Sequence, residues 1–234
     1  GSDHAIEAAV LYLVAHSLFK GALFMVAGII DHEAGTRDVT KLGGLRKAMP
    51  ITFWAALAAA ISMAGLPPFF GFLAKEEIYY ALAHGNPRAV LFTGVAILGN
   101  ALMFAIAFAV ALKPFLGKPV KTPKHAHEGP LLLWLGPALL AVKGLTIALF
   151  SGIAHFYIST PMASAVAGEA RPIEISLIPH IGVPLGLSLL TIALGIVLYT
   201  QLSAVRGLID RTFKALGAGP DRGFDVFIEM LVKV

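Results

Sequence analysis

The sequence contains no cysteine. That excludes a disulfide framework, a thiolate-ligated zinc and an iron–sulfur centre within the chain. Charge is scarce as well: 14% of the 234 residues are Asp, Glu, Lys or Arg, where an ordinary soluble domain carries about 25%. Also missing are a nucleotide-binding glycine loop, a nucleophile elbow and a metalloprotease helix motif, so neither a cofactor nor a metal site is expected. No basic stretch leads into a short apolar run with a small-residue cleavage site, so no signal peptide is read. The chain begins Gly1-Ser2 without Met, which reads as a tag remnant or a cut through a longer protein.

What is present is apolar surface. Apolar residues make up 57% of the chain and mean hydropathy is +0.80. A core of this size cannot hide that excess, so lipid is the solvent for much of the surface. The net charge of +4 and pI near 9.4 would suit nucleic acid, but the basic residues lie between apolar runs. That is a topology signal, and nucleic acid is not an expected partner.

A spanning helix needs about 20 mostly apolar residues. Five segments qualify: residues 5–30, 51–81, 89–112, 131–154 and 181–200. The expected class is an all-α membrane protein with a bundle of about five transmembrane helices over residues 1–200. The basic residues sort sharply among the connections. Segments 31–50 and 113–130 and the tail from 201 hold thirteen of them, against only Arg88 and Arg171 in segments 82–88 and 155–180. Positive charge marks the cytoplasmic side. The N-terminus is therefore expected outside, the tail in the cytoplasm, and the span count odd.

The second segment is too long for one straight span. Its 31 residues would extend about 46 Å, against a hydrocarbon core of about 30 Å. It contains Gly65-Leu66-Pro67-Pro68 and then Gly71, and two adjacent prolines remove helix donors and clash with the preceding turn. Two full spans would not fit and would reverse the charge sorting, so one discontinuous span broken at 65–71 is expected. Such breaks survive only where protein or a water-filled cavity satisfies the freed backbone groups, and they mark ion sites in transporters. Residues 201–234 differ: Leu202, Val205, Leu208, Ile209, Phe213 and Leu216 alternate with Arg206, Asp210, Arg211 and Lys214 in a helical rhythm. The pattern is too polar to span and predicts an amphipathic helix on the cytoplasmic surface, wetted or touching another subunit. Gly217 to Pro220 ends it, and a second amphipathic stretch follows over 224–234.

Three lysines lie inside the apolar segments: Lys20, Lys75 and Lys143. An ionisable group there costs about 2.5–3.5 kcal/mol on insertion scales and is functional by default. Tyr12, His16 and Lys20 are spaced by four and share a helix face. A histidine and a lysine one turn apart cannot be a permanent ion pair, but they can pass a proton along water. The alternative is a lysine paired with an absent carboxylate to hold helices together. Lys75-Glu76-Glu77 follows the break, with Lys75 favoured as functional, while Glu76 and Glu77 suit either the site or the rim of the membrane. Lys143, near mid-depth of the fourth span, has no acidic or histidine neighbour in its own helix. His125-Ala126-His127-Glu128 resembles metal ligation superficially, but a solvated loop is the better reading. His4, His32, His84, His155 and His180 fall at helix ends or in connections and read as interfacial.

Two stretches carry a family resemblance. His16-Ser17-Leu18-Phe19-Lys20-Gly21-Ala22-Leu23-Phe24, running on to Asp31-His32-Glu33-Ala34-Gly35-Thr36-Arg37-Asp38, resembles the second-repeat signature of the antiporter-like membrane subunits. Gly65 to Glu77 resembles the broken-helix signature of the same superfamily. That group includes the large subunits of Mrp-type multisubunit sodium/proton antiporters and the L, M and N subunits of respiratory NADH:quinone oxidoreductase. The Asp31–Asp38 stretch most resembles the A-type member of the Mrp group.

The resemblance implies two inverted five-helix repeats, each with a broken helix, whose half-channels meet along a polar axis. Lys20, His16 and Lys75 match the family's proton-carrying lysines and histidine. Tyr12 stands where some respiratory relatives have a further histidine, and Lys143 matches no family residue. The acidic residue and lysine of a first repeat have no counterpart here. The chain is thus expected to be the C-terminal half of an antiporter-like core in a bacterial plasma membrane. Its expected partners are the missing first repeat, the other antiporter subunits, lipid, H+ and Na+. A proton-pumping subunit of a quinone oxidoreductase is the alternative, and a structural scaffold with paired lysines is a third reading. None of the three makes the chain itself an enzyme.

Overall fold

The computed structural model describes residues 3–84, 89–170 and 182–215. Among them every regular element is helical: α1 (Asp3–Ala34), α2 (Pro50–Ala64), α3 (Phe70–Ala83), α4 (Ala89–Leu112), α5 (Leu131–Leu149), α6 (Ser151–Ala154), α7 (Thr160–Ala167), α8 (Val183–Thr200) and α9 (Leu202–Ala215). Helices α1, α4, α5 and α8 are long and apolar enough to cross a membrane, and α2 is a shorter apolar helix. The chain is an all-α membrane protein.

Helix α1 organises the bundle. Its 32 residues extend about 48 Å, and both halves of the broken segment pack along it. His4, near its start, packs edge-on against Tyr80 at the far end of α3 with ring centroids 4.9 Å apart. Beyond its other end, Lys124 donates from its backbone N to the Ala34 carbonyl at 3.2 Å. Leu11, Phe19, Val26 and Ile29 of α1 form one wall of the core, which Phe53 and Met63 of α2 and Phe70 of α3 complete. Outward-facing positions stay apolar: Phe24, Trp54, Val90, Leu91 and Leu132 are all exposed. That inversion is what a lipid-facing surface requires.

The two basic connections lie at one end of the bundle and hydrogen-bond to each other. Leu45 N donates to Pro114 O at 3.2 Å, Arg46 N to Phe115 O at 3.1 Å, and Val120 N to Gly43 O at 3.3 Å. Arg46 also lies over the ring of Phe53, 5.0 Å from its centroid, a cation–π contact at the edge of the apolar core. The His125–Glu128 loop is fastened down. The Glu128 carboxylate accepts from Ile51 N at 2.7 Å, Thr52 N at 3.3 Å and the Thr52 hydroxyl. It caps the first turn of α2 from 76 or more residues away, in place of a local capping residue. His127 reaches the buried Glu33 at 3.2 Å.

The helical path after α5 differs from the sequence-based boundary at 154. Backbone dihedrals open at Phe150, and helical turns then resume through α6, a wide π turn over His155–Ser159, and α7. Pro161 supplies the physical reason for the wide turn, since it has no N–H to give the preceding turn and is accommodated at the start of α7. At the other boundaries α1 runs on to Ala34 and α8 begins at Val183. The second amphipathic stretch, over 224–234, lies outside the described residues, as do Arg88, Arg171 and His180.

The contacts at this basic end can be tested in two ways. Glu128→Ala removes the acceptor for two backbone donors and is expected to cost about 1–2 kcal/mol, in the range of a lost helix cap. Melting of the assembled complex would register the loss, and Glu128→Gln should recover part of it. Asp38 caps the turn at Val39–Lys41. Hydrogen bonds from the Thr40 hydroxyl and backbone, with help from Lys41, hold its carboxyl below the usual carboxylate range. A lowered folded pKa stabilises the turn at neutral pH, and that contribution is lost as pH falls through the carboxylate range. Exchange protection of the Thr40 amide, corrected for intrinsic rates, should therefore stay flat down to that range and then fall.

Candidate functional site

The break between α2 and α3 is built from four small features of sequence. Gly65 adopts a left-handed conformation, φ +76°, and ends α2. Its N–H bonds to Ser62 O at 3.0 Å, and the next, Leu66 N, to Ile61 O at 3.1 Å. These are the reciprocal bonds of a Schellman cap. The exposed Pro67 and Pro68 follow, joined by a cis peptide bond. Phe69 is extended, and α3 starts at Phe70. Gly71 then lies hard against α2: its N–H donates to Ser62 Oγ at 3.3 Å, and a Cβ there would sit 1.8 Å from Ser62 O. The two half-helices touch through backbone, which only glycine permits.

Lys75 closes the break. It is 3% exposed, and its Nζ donates to the Met63 carbonyl at 2.7 Å. That carbonyl belongs to the last turn of α2, where the helix leaves acceptors unpaired and carries partial negative charge. Gly65 supplies the room, because a Cβ there would lie 2.6 Å from Lys75 Cδ. No carboxylate among the described residues pairs with Lys75. The carbonyl accepts from an ammonium and from a neutral amine alike, so the contact survives loss of a proton.

None of the other sequence-derived candidates is hydrogen-bonded to Lys75 among the described residues. Tyr12 packs beside His16, with ring centroids 5.7 Å apart, and its hydroxyl reaches Met103 Sδ at 3.4 Å. His16 and Lys20 are half-buried on α1, with no hydrogen bond or ion pair to a described residue. Lys143 is exposed on the outer face of α5. Glu76 and Glu77 are half-buried, and Glu77 groups with His4 and Glu7 at the end of the bundle away from the basic loops.

Sequence reasoning missed two buried polar groups. Tyr79 Oη shares a hydrogen bond with Thr191 Oγ1 at 2.6 Å and accepts from Asn100 Nδ2 at 3.1 Å. This trio ties α3, α4 and α8 together one turn beyond Lys75. An asparagine inside a 24-residue apolar helix was the available signal. His155, read as interfacial, is 1% exposed. Its Nδ1 is 3.1 Å from Ser159 Oγ, its ring lies 6.1 Å from Phe70, and its Nε2 is buried without a described partner. The helical run past Ala154 carries it inward, against the first residue of α3.

Residues 1–107 match the family model described as NADH:quinone oxidoreductase/Mrp antiporter, transmembrane. Among curated relatives, the Na+/H+ antiporter A1 subunit of Staphylococcus haemolyticus is 42% identical over 174 residues, covering 70% of this chain and 22% of the relative. Its counterpart in Staphylococcus aureus is 42% identical over 172 residues, covering 69% and 22%. A solved structure described as the Mrp complex from Dietzia sp. DQ12-45-1b superposes with a TM-score of 0.79 at 30% identity. It covers 100% of this chain and 25% of the matched one.

Over the matched residues the chain belongs to this family, and it is an antiporter-like transmembrane fragment. Within that class the chain is a fragment of the A type found in Mrp antiporters. It spans about a fifth of the length of the curated relatives it matches, 22%.

The geometry of the break sets a steric test. Gly71→Ala should prevent assembly of the full-length subunit, because the new methyl overlaps the Ser62 carbonyl. Gly65→Ala strains a positive-φ position by about 1–3 kcal/mol and should displace Lys75 while still assembling. Gly94→Ala, with nothing within 4 Å, should be neutral. Co-purification of the subunit with its complex reads all three.

Proposed function

We propose that this chain forms a proton half-channel of a multisubunit monovalent cation/proton antiporter, in which Lys75, Lys20 and His16 relay protons. The observation that carries the reading is the Lys75 amine, buried and held by a helix-end carbonyl at a break in the membrane-spanning backbone. An intramembrane amine bound only to a carbonyl is a site for a mobile proton rather than half of a fixed ion pair. His16 and Lys20 then continue the path along α1, through water between their side chains, with Tyr12 beside them. Glu76 and Glu77 suit the end of the path away from the basic loops. Lys143, exposed on α5, suits a contact with a neighbouring subunit.

The printed names of the relatives support sodium as the exchanged cation. The partners that follow are the remaining subunits of an Mrp-type complex and the upstream part of the same polypeptide. The thirteen basic residues in the two joined loops and the tail favour a bacterial plasma membrane topology with that end in the cytoplasm and the first residues outside. A role as a proton-pumping subunit of a quinone oxidoreductase rests on the shared family description. Deleting the full-length gene separates the two, since the antiporter reading expects loss of sodium and alkali tolerance with NADH-driven quinone reduction intact.

Lys75→Ala in the full-length subunit should lower Na+-driven proton movement in inverted vesicles by tenfold or more, with the complex still assembled. Dequenching of a pH-sensitive dye on sodium addition measures it. A signal equal to wild type contradicts the relay.

A further inference from the structure

At the end of the bundle opposite the basic loops, His4 and Glu7 of α1 face Glu77 of α3. One ligand atom from each lies within 4.8 Å of the other two. His4 and Glu7 are spaced by three, which places both on one helix face, and Glu77 comes from the neighbouring helix. His4 Nδ1 is 3.4 Å from Glu7 Oε2, yet it is shielded from solvent and makes no hydrogen bond. Its ring is fixed from outside, edge-on to Tyr80 at 4.9 Å and beside His84 at 6.4 Å. His84 is itself anchored, with Nδ1 2.9 Å from Tyr80 O.

Two carboxylates this close, in a half-buried setting, repel unless a proton or another cation is shared between them, and a bound metal ion meets that need. The His4 imidazole nitrogen beside them completes a set of one nitrogen and two oxygen donors from two helices. We propose that His4, Glu7 and Glu77 bind a divalent first-row transition metal of the Zn2+ class, joining the ends of α1 and α3. Nitrogen with carboxylate oxygen suits Zn2+, Co2+ and Mn2+, and three protein ligands leave positions for water. Along the sequence only the His125–Glu128 loop resembles a metal site, and none is expected there. These three donors are spread over 74 sequence positions, and only the packing of α3 on α1 brings them together. The site shares Glu77 with the far end of the path proposed above but includes none of Lys75, Lys20 and His16, and its readout involves no transport.

The test uses the purified full-length complex, stripped with chelator and titrated with Co2+, whose visible absorption appears on binding to such a set. Wild type should develop a saturable band that added Zn2+ abolishes. His4→Ala and Glu7→Gln should each weaken Co2+ binding by tenfold or more, whereas His127→Ala, in the opposite loop, should leave it unchanged. Each variant removes a different donor, so failure of one to assemble leaves the other to decide. A wild-type complex without a Zn2+-displaceable band, or a band unaltered in an assembled His4→Ala or Glu7→Gln variant, overturns the proposal.

Discussion

The arrangement depends on how the break between α2 and α3 satisfies its own backbone groups. Ending α2 within the bundle frees carbonyls that need donors from the protein or from water. The chain answers with a glycine cap for Ile61 and Ser62 and with the Lys75 amine for Met63. The same bond solves two problems, because a buried amine also needs an acceptor. Each partner serves the other: Lys75 gives the Met63 carbonyl a donor, and the break gives Lys75 a free carbonyl to meet. Gly65 and Gly71 make the exchange possible by removing the side chains that would fill the space.

Around this joint the fold is a support. Helix α1 packs along both half-helices and holds them in line. Glu128 fixes the start of α2 from a distant loop, and the Tyr79–Thr191–Asn100 trio fixes α3 against α4 and α8. Both ends of the broken span are thus tied by polar contacts, while the apolar face of each helix is free to meet lipid. His155 packs against Phe70 at the joint itself, where its unpartnered Nε2 would suit a buried water.

Much of this is readable in the sequence, and the reasons are local. The double proline and flanking glycines in one apolar run locate the break, and Lys75 follows within ten residues, so the joint can be found from neighbours along the chain. Charge counting groups the loops that the structure finds hydrogen-bonded. What is not readable depends on separation. The Glu128 cap, the His127–Glu33 contact and the polar trio join positions dozens of residues apart, and none repeats with a helical period. His155 escapes because a proline after it looks like the end of helical structure, whereas the backbone widens by one turn and continues. Attention to ionisable groups alone also passes over Asn100 and Thr191, which are neutral yet costly to bury unpaired.

The central claim is the proposal that one buried amine serves a wet proton path. A high-resolution map of the whole complex in lipid, with ordered water resolved, tests it most directly. The account predicts the Lys75 amine on the Met63 carbonyl and a chain of waters leading from it past His16 and Lys20. An amine turned out toward the headgroups, or a dry apolar barrier between residues 75 and 20, would contradict it.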